Sequence, residues 1–137
     1  YSVYRSSDGN IKIDSSSDGV TWLKQKNFGS FGATQTVIAA LKGTLYVYFN
    51  TDGGQVMVSS SKDGQEWTGP EKAGFNANYM TLTSFNGQLY MMYTVSGSVV
   101  VSVRSSVDGV SWMDDLVEIP LSSQTIAIVA FLRAPNT

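Results

Sequence analysis

The chain has 137 residues, a common length for one domain, which leaves no room for two unrelated ones. Charged residues make up only 15%, with nine basic against eleven acidic side chains, so the dense cationic surface that phosphate binding needs is absent. Cysteine and histidine are missing altogether, which excludes disulfides, thiol nucleophiles, Cys/His zinc sites and Ser-His-Asp triads. Any catalysis has to run on carboxylates, Tyr, Lys or Arg. No apolar run approaches the ~20 residues of a membrane helix. Tyr1 already lies inside an apparent strand, so a signal peptide, start segment or preceding repeat is expected to be missing from the sequence.

Strand signals begin at once. Tyr1-Ser2-Val3-Tyr4 is aromatic and β-branched, Ser7-Asp8-Gly9-Asn10 reads as a hairpin tip, and Ile11 and Ile13 alternate with polar residues as in a half-buried strand. Ser16-Ser17-Asp18-Gly19-Val20-Thr21-Trp22 follows. The series then recurs. Thr36–Ala40 reads as an inner strand, Leu41–Leu45 as a turn, Tyr46–Phe49 as an aromatic strand, Asp52–Gln55 as a tip, and Val56 and Val58 as an alternating strand. Ser61-Lys62-Asp63-Gly64-Gln65-Glu66-Trp67 closes that unit. A further set comprises Met80–Ser84, Phe85–Leu89, Tyr90–Tyr93, Ser96–Ser98, Val101 with Val103, and Ser106-Val107-Asp108-Gly109-Val110-Ser111-Trp112. Ile126–Phe131 is a last copy of the inner strand.

Trp22, Trp67 and Trp112 are 45 residues apart in both intervals. Four antiparallel strands in a unit of this length is the size of one β-propeller blade. A β-sandwich is the competing architecture. The expected repeats are about 1–35, 36–79 and 80–124 within a single unit of 1–137, with a closing strand over 125–133. In strand positions, the chain reads second-third-fourth, two complete sets of four, then a lone first.

The three segments, each S-x-D-G-x-x-W, resemble the Asp-box (BNR) repeat of sialidases and many other propeller proteins. The more usual form has one residue between Asp and Gly, so all three copies here are a shortened variant. Ser16, Asp18, Gly19, Trp22, Ser61, Asp63, Gly64, Trp67, Ser106, Asp108, Gly109 and Trp112 are read as a folding device. The carboxylate accepts hydrogen bonds within its own turn, Ser bonds locally, Gly takes the strained backbone position and Trp packs between sheets. The resemblance implies an all-β propeller and a secreted, extracellular location.

Propellers close with about 4–8 blades, and three cannot close alone. A homodimer pairing the lone last strand of each chain with the first strand of the other would close a six-bladed ring; a piece of a longer propeller is the alternative. In the implied fold, the turns between second and third strands share a face with the connections Lys24–Ala33, Glu71–Ala77 and Glu118–Ser123. Aligning Phe31–Thr34, Phe75–Asn78 and Leu121–Gln124 then puts Thr34, Asn78 and Gln124 around the central mouth, beside Asn76, with Gln35 and Tyr79 just below. Neutral amides and hydroxyls next to aromatic rings suit a glycan. The expected function is lectin-like carbohydrate binding without catalysis, cofactor or metal. The alternatives are a fragment of a sialidase or other glycoside hydrolase, and a protein-interaction scaffold. The three arginines, Arg5, Arg104 and Arg133, fall at different phases of the repeat, unlike a substrate-binding triad.

Overall fold

The computed structural model describes residues 1–113 and 117–120. They form three antiparallel sheets. The first contains β1 (Ser2–Arg5), β2 (Asn10–Ser15) and β3 (Leu23–Ser30) in that order. The second runs β4 (Thr36–Leu41), β5 (Thr44–Asn50), β6 (Gln55–Ser61) and β7 (Glu71–Asn76). The third runs β8 (Tyr79–Phe85), β9 (Gln88–Thr94), β10 (Val100–Ser106) and β11 (Val117–Pro120). Within each sheet consecutive strands pair antiparallel. The expected strand order therefore appears as one three-stranded and two four-stranded sheets. The strand expected at Ile126–Phe131 lies outside the described residues.

One expectation is corrected. Lys24–Ala33 and Glu71–Ala77 were read as connections, but most of each is a strand, β3 and β7. They carry no clean two-residue alternation because both are outermost strands, exposed along much of their length, and their pairing shifts register near Ile11/Lys12, Ile13/Asp14 and Gln55/Met57. Glu118–Pro120 likewise falls within β11. The true connections on this face shrink to residues 31–35 and 77–78.

The sheets stack face to face. Between the first and second, Ile11, Ile13, Ala33, Val47 and Phe49 are buried, with Val3, Phe28, Ile38, Met57 and Trp67 packed around them. Between the second and third, Tyr48, Val56, Met80, Leu89, Met91 and Tyr93 form the core, joined by Val37, Val58, Leu82 and Trp112. Each fully buried large apolar side chain is worth about 1.5–3 kcal/mol by transfer. β4 lies beside β8, and β1 beside β4, so strands early in each set meet near a common axis.

Candidate functional site

The three S-x-D-G-x-x-W turns make one hydrogen-bond pattern. Asp18 Oδ1 accepts from the amides of Val20 and Thr21, both at 2.8 Å, and from the Ser16 hydroxyl at 2.9 Å. Ser16 Oγ in turn accepts from the amide of Gly19 at 2.8 Å. Asp63 takes the amides of Gln65 and Glu66, and Asp108 those of Val110 and Ser111. Hydrogen bonds to the ionised form hold these carboxyls below the ordinary aspartate value: Thr21 and then Val20 bring Asp18 to about 2, and the matching amides lower Asp63 and Asp108. With Oδ1 of each committed to its own turn, these carboxylates serve the backbone.

Trp67 and Trp112 bind each sheet to the one before it. Trp67 meets Phe28 of β3 edge-on at 5.7 Å between centroids, and Trp112 meets Tyr48 and Phe75 at 5.5 and 5.9 Å. Tyrosines reach the other way. The Tyr1 hydroxyl donates to the Asp63 carbonyl at 3.3 Å, the Tyr46 hydroxyl to the Asp108 carbonyl at 2.7 Å, and the buried Tyr48 hydroxyl to the Gly109 carbonyl at 2.6 Å. Among the described residues Trp22 makes no such contact, and in the single chain it is 47% exposed.

On the opposite face, the turns between β5 and β6 and between β9 and β10 meet the connection between β7 and β8. Gly53, Gly54, Asn76, Ala77, Asn78, Val95 and Ser96 line a cleft of about 230 Å3 there. The Ala77 amide donates to the Gly54 carbonyl at 2.8 Å, and the Asn78 amide to the Thr94 carbonyl. No other described residue hydrogen-bonds the side-chain amides of Asn76 and Asn78, and no carboxylate is among the lining residues. Tyr79 opens β8 beside this connection, half-buried. Gln124 lies outside the described residues.

Thr34 and Asn78 come together through a residue that sequence reasoning missed. Asn50, at the end of β5 and 1% exposed, accepts from the amides of Thr34 and Gln35, both at 2.9 Å. Its Nδ2 donates to Thr34 Oγ1 at 3.1 Å and to the carbonyls of Ala77 and Asn78 at 3.2 Å each. The only signal in the sequence is a lone carboxamide ending the aromatic run Tyr46–Phe49. Arg104 was also unplaced; its guanidinium lies over Phe75 at 4.4 Å and Tyr93 at 4.9 Å, between the second and third sheets. Among the described residues no group of three or more acidic side chains could hold a metal ion.

This stack of one three-stranded and two four-stranded sheets agrees with the family comparison, in which the profile of the DUF6242 beta propeller domain matches residues 16–127. The chain belongs to that family. No curated protein sequence matches the DUF6242 chain. Among solved structures it is similar to a lectin of Aleuria aurantia in complex with Fucα1-6GlcNAc, with a TM-score of 0.62 and 15% identity over 88% of this chain and 41% of the lectin. It is also similar to Zg3597, a family 117 glycoside hydrolase of the marine bacterium Zobellia galactanivorans, with a TM-score of 0.56 and 17% identity over 82% of this chain and 37% of the hydrolase. At such identities the likeness shows the propeller fold, and the DUF6242 chain spans about two fifths of the length of these neighbours.

Proposed function

We propose that this propeller binds a neutral sugar without cleaving it, in the cleft between the second and third sheets. The observation that carries the reading is the pair of carboxamides, Asn76 and Asn78, which no described residue hydrogen-bonds through the side chain, lining one cleft with Ser96, the exposed Val95 and Gly53-Gly54. Carboxamides both donate and accept, which matches a sugar hydroxyl, and the apolar wall suits a C–H face. A volume of about 230 Å3 accommodates one terminal ring rather than a chain segment. The lectin neighbour, solved with a fucosylated glycan, supports a carbohydrate ligand. The glycoside hydrolase neighbour favours cleavage, but most glycoside hydrolases use two carboxylates at a defined separation, and this lining has none. Thr34 and Gln35 at the neighbouring boundary and Tyr79 at the start of β8 extend the proposed contact set; Gln124 lies outside the described residues.

The test is a glycan array followed by calorimetry on the best hit. Asn78→Ala and Asn76→Ala should each weaken binding about tenfold, the ~1.4 kcal/mol of a lost hydrogen bond, with the melting temperature unchanged. Native affinity in both variants overturns the site, and measurable glycoside turnover overturns the non-catalytic reading.

The three turns are assigned to the shortened Asp-box type, supported by their shared hydrogen bonds. A second copy of the chain is the proposed closure of the ring. Trp22 and Leu23 stand exposed on the first sheet, and Tyr90 of the third sheet pairs with Ser105 as Tyr46 pairs with Ser60, so it occupies the place from which Tyr46 reaches the next turn. A solution mass about twice the chain's 14.8 kDa is expected; a single-chain mass rejects this closure.

A further inference from the structure

We propose that Asn50 is the positioning residue of the cleft, one buried amide that sets the Asn78 connection in register with the Thr34-Gln35 connection. This rests on the cleft being the sugar site. The orientation of the amide is fixed by its surroundings: Oδ1 faces the N–H groups of Thr34 and Gln35, while Nδ2 faces the carbonyls of Ala77 and Asn78. A flipped amide would set a carbonyl against two carbonyls and an NH2 against two N–H groups. The two connections it joins belong to different sheet boundaries, 31–35 between the first and second sheets and 77–78 between the second and third. The Asn50 amide also donates to the Gln35 carbonyl at 3.3 Å, so the residue is held from its backbone as well as its side chain. Asn50 has no place in the cleft lining and would act on the ligand only through the residues it holds.

At the matching register of the third sheet stands Thr94, whose carbonyl receives the Asn78 amide. At that of the first sheet stands Arg5, which pairs with Ile11 as Asn50 pairs with Val56. Neither substitute offers a donor and an acceptor on one short planar group. Among the described residues this bridge is made in the middle sheet, at the boundary where the cleft lies.

The experiment separates the two halves of the amide. Asn50→Asp keeps an oxygen toward Thr34 and Gln35 but turns an oxygen without a proton toward the Ala77 and Asn78 carbonyls. At pH 7 the variant should keep wild-type hydrogen-exchange protection at the Thr34 and Gln35 amides, exchange at least tenfold faster at Ala77 and Asn78, and bind the array-selected sugar at least tenfold more weakly. Reprotonating the new carboxyl at mildly acidic pH restores a donor, so the affinity should recover toward the wild-type curve measured at the same pH. Asp52 and Tyr79, the ionisable groups nearby, are present in both proteins, so the comparison isolates the new carboxyl. Should the variant fail to fold, Asn50→Thr, the third sheet's own choice, supplies a hydroxyl too short to span both connections and should lose the same affinity.

Wild-type exchange at 77–78 together with wild-type affinity overturns the positioning role while leaving the sugar site intact. If the wild-type protein binds no sugar, the functional reading fails, and the exchange measurement alone decides whether Asn50 holds the two connections together.

Discussion

The first Asp-containing turn and the second and third form the same internal structure in different surroundings. Around Gly64 and Gly109 the preceding sheet closes in: a Cβ at Gly64 would run into the Tyr1 ring and one at Gly109 into the Tyr46 ring, whereas a Cβ at Gly19 would meet nothing within 4 Å. All three glycines have φ between 76° and 78°. The local hydrogen-bond net thus forms with or without a neighbour, and the same motif becomes a joint between sheets only where a preceding sheet is present. The first sheet also differs in the face it turns outward. Tyr4, Lys12 and Asp14 stand where the second sheet places Phe49, Met57 and Ser59 against its neighbour. Tyr4 donates to Asp14 Oδ2 at 3.1 Å, and Lys12 pairs with Asp8 at 3.0 Å.

The tryptophans give the largest contrast. Trp112→Ala and Trp67→Ala should each cost about 3 kcal/mol, the lower end for aromatic truncation because both rings are half-buried. Trp22→Ala should cost a comparable amount in the closed dimer, where the second copy covers the ring, and under about 1 kcal/mol in a single chain. Urea unfolding of the three variants measures this, and a large loss at Trp22 would show that its ring is covered in solution, as closure by a second copy demands.

Alanine at the turn glycines ranks next. At Gly19 the strain of positive φ alone should cost about 1 kcal/mol, whereas Gly64→Ala and Gly109→Ala add a clash with a tyrosine ring and should cost about 2–3 kcal/mol. Equal losses at all three sites would erase the distinction between turns.

Acid titration should leave the comparison intact. Each carboxyl is depressed in the folded state, so its contribution to stability is complete above the unfolded value near 3.9 and is lost as pH falls through the folded value, about 2 for Asp18. These turns are exposed and their effect is solvent-screened. Asp18→Asn, Asp63→Asn and Asp108→Asn should each flatten the fall in stability between about pH 4 and pH 2, to a similar degree. A response confined to Asp63 and Asp108 would mean that the neighbouring sheet, and not the turn, sets the carboxylate. A smaller effect than at the tryptophan joints belongs to Tyr46→Phe, which removes the hydroxyl bond to Asp108 and should cost about 0.5–1.5 kcal/mol in the same unfolding assay.

Much of the fold was legible because its determinants are short-range. Alternation at Ile11 and Ile13, Val56 and Val58, and Val101 and Val103 marks strands, and the motifs recur in phase. The outer strand of each set was expected, but the extents of β3 and β7 were not legible, since exposure removes the alternation that announces a strand. Of the candidate site, Asn76 and Asn78 were found from the repeat phase and do line one cleft. Thr34 and Gln35 sit at the adjacent boundary and reach Asn78 only through Asn50.

The sequence by itself determined the phase of the sheets, the hairpin tips and the turn hydrogen bonds, because each depends on residues within a few positions of one another. Tertiary structure decided which tryptophan is covered, what Arg104 stacks on and what Asn50 holds. Asn50 bonds residues 15–28 positions away, and Tyr46 and Tyr48 bond turns 61–62 away; such contacts depend on how sheets stack, and no local pattern encodes that.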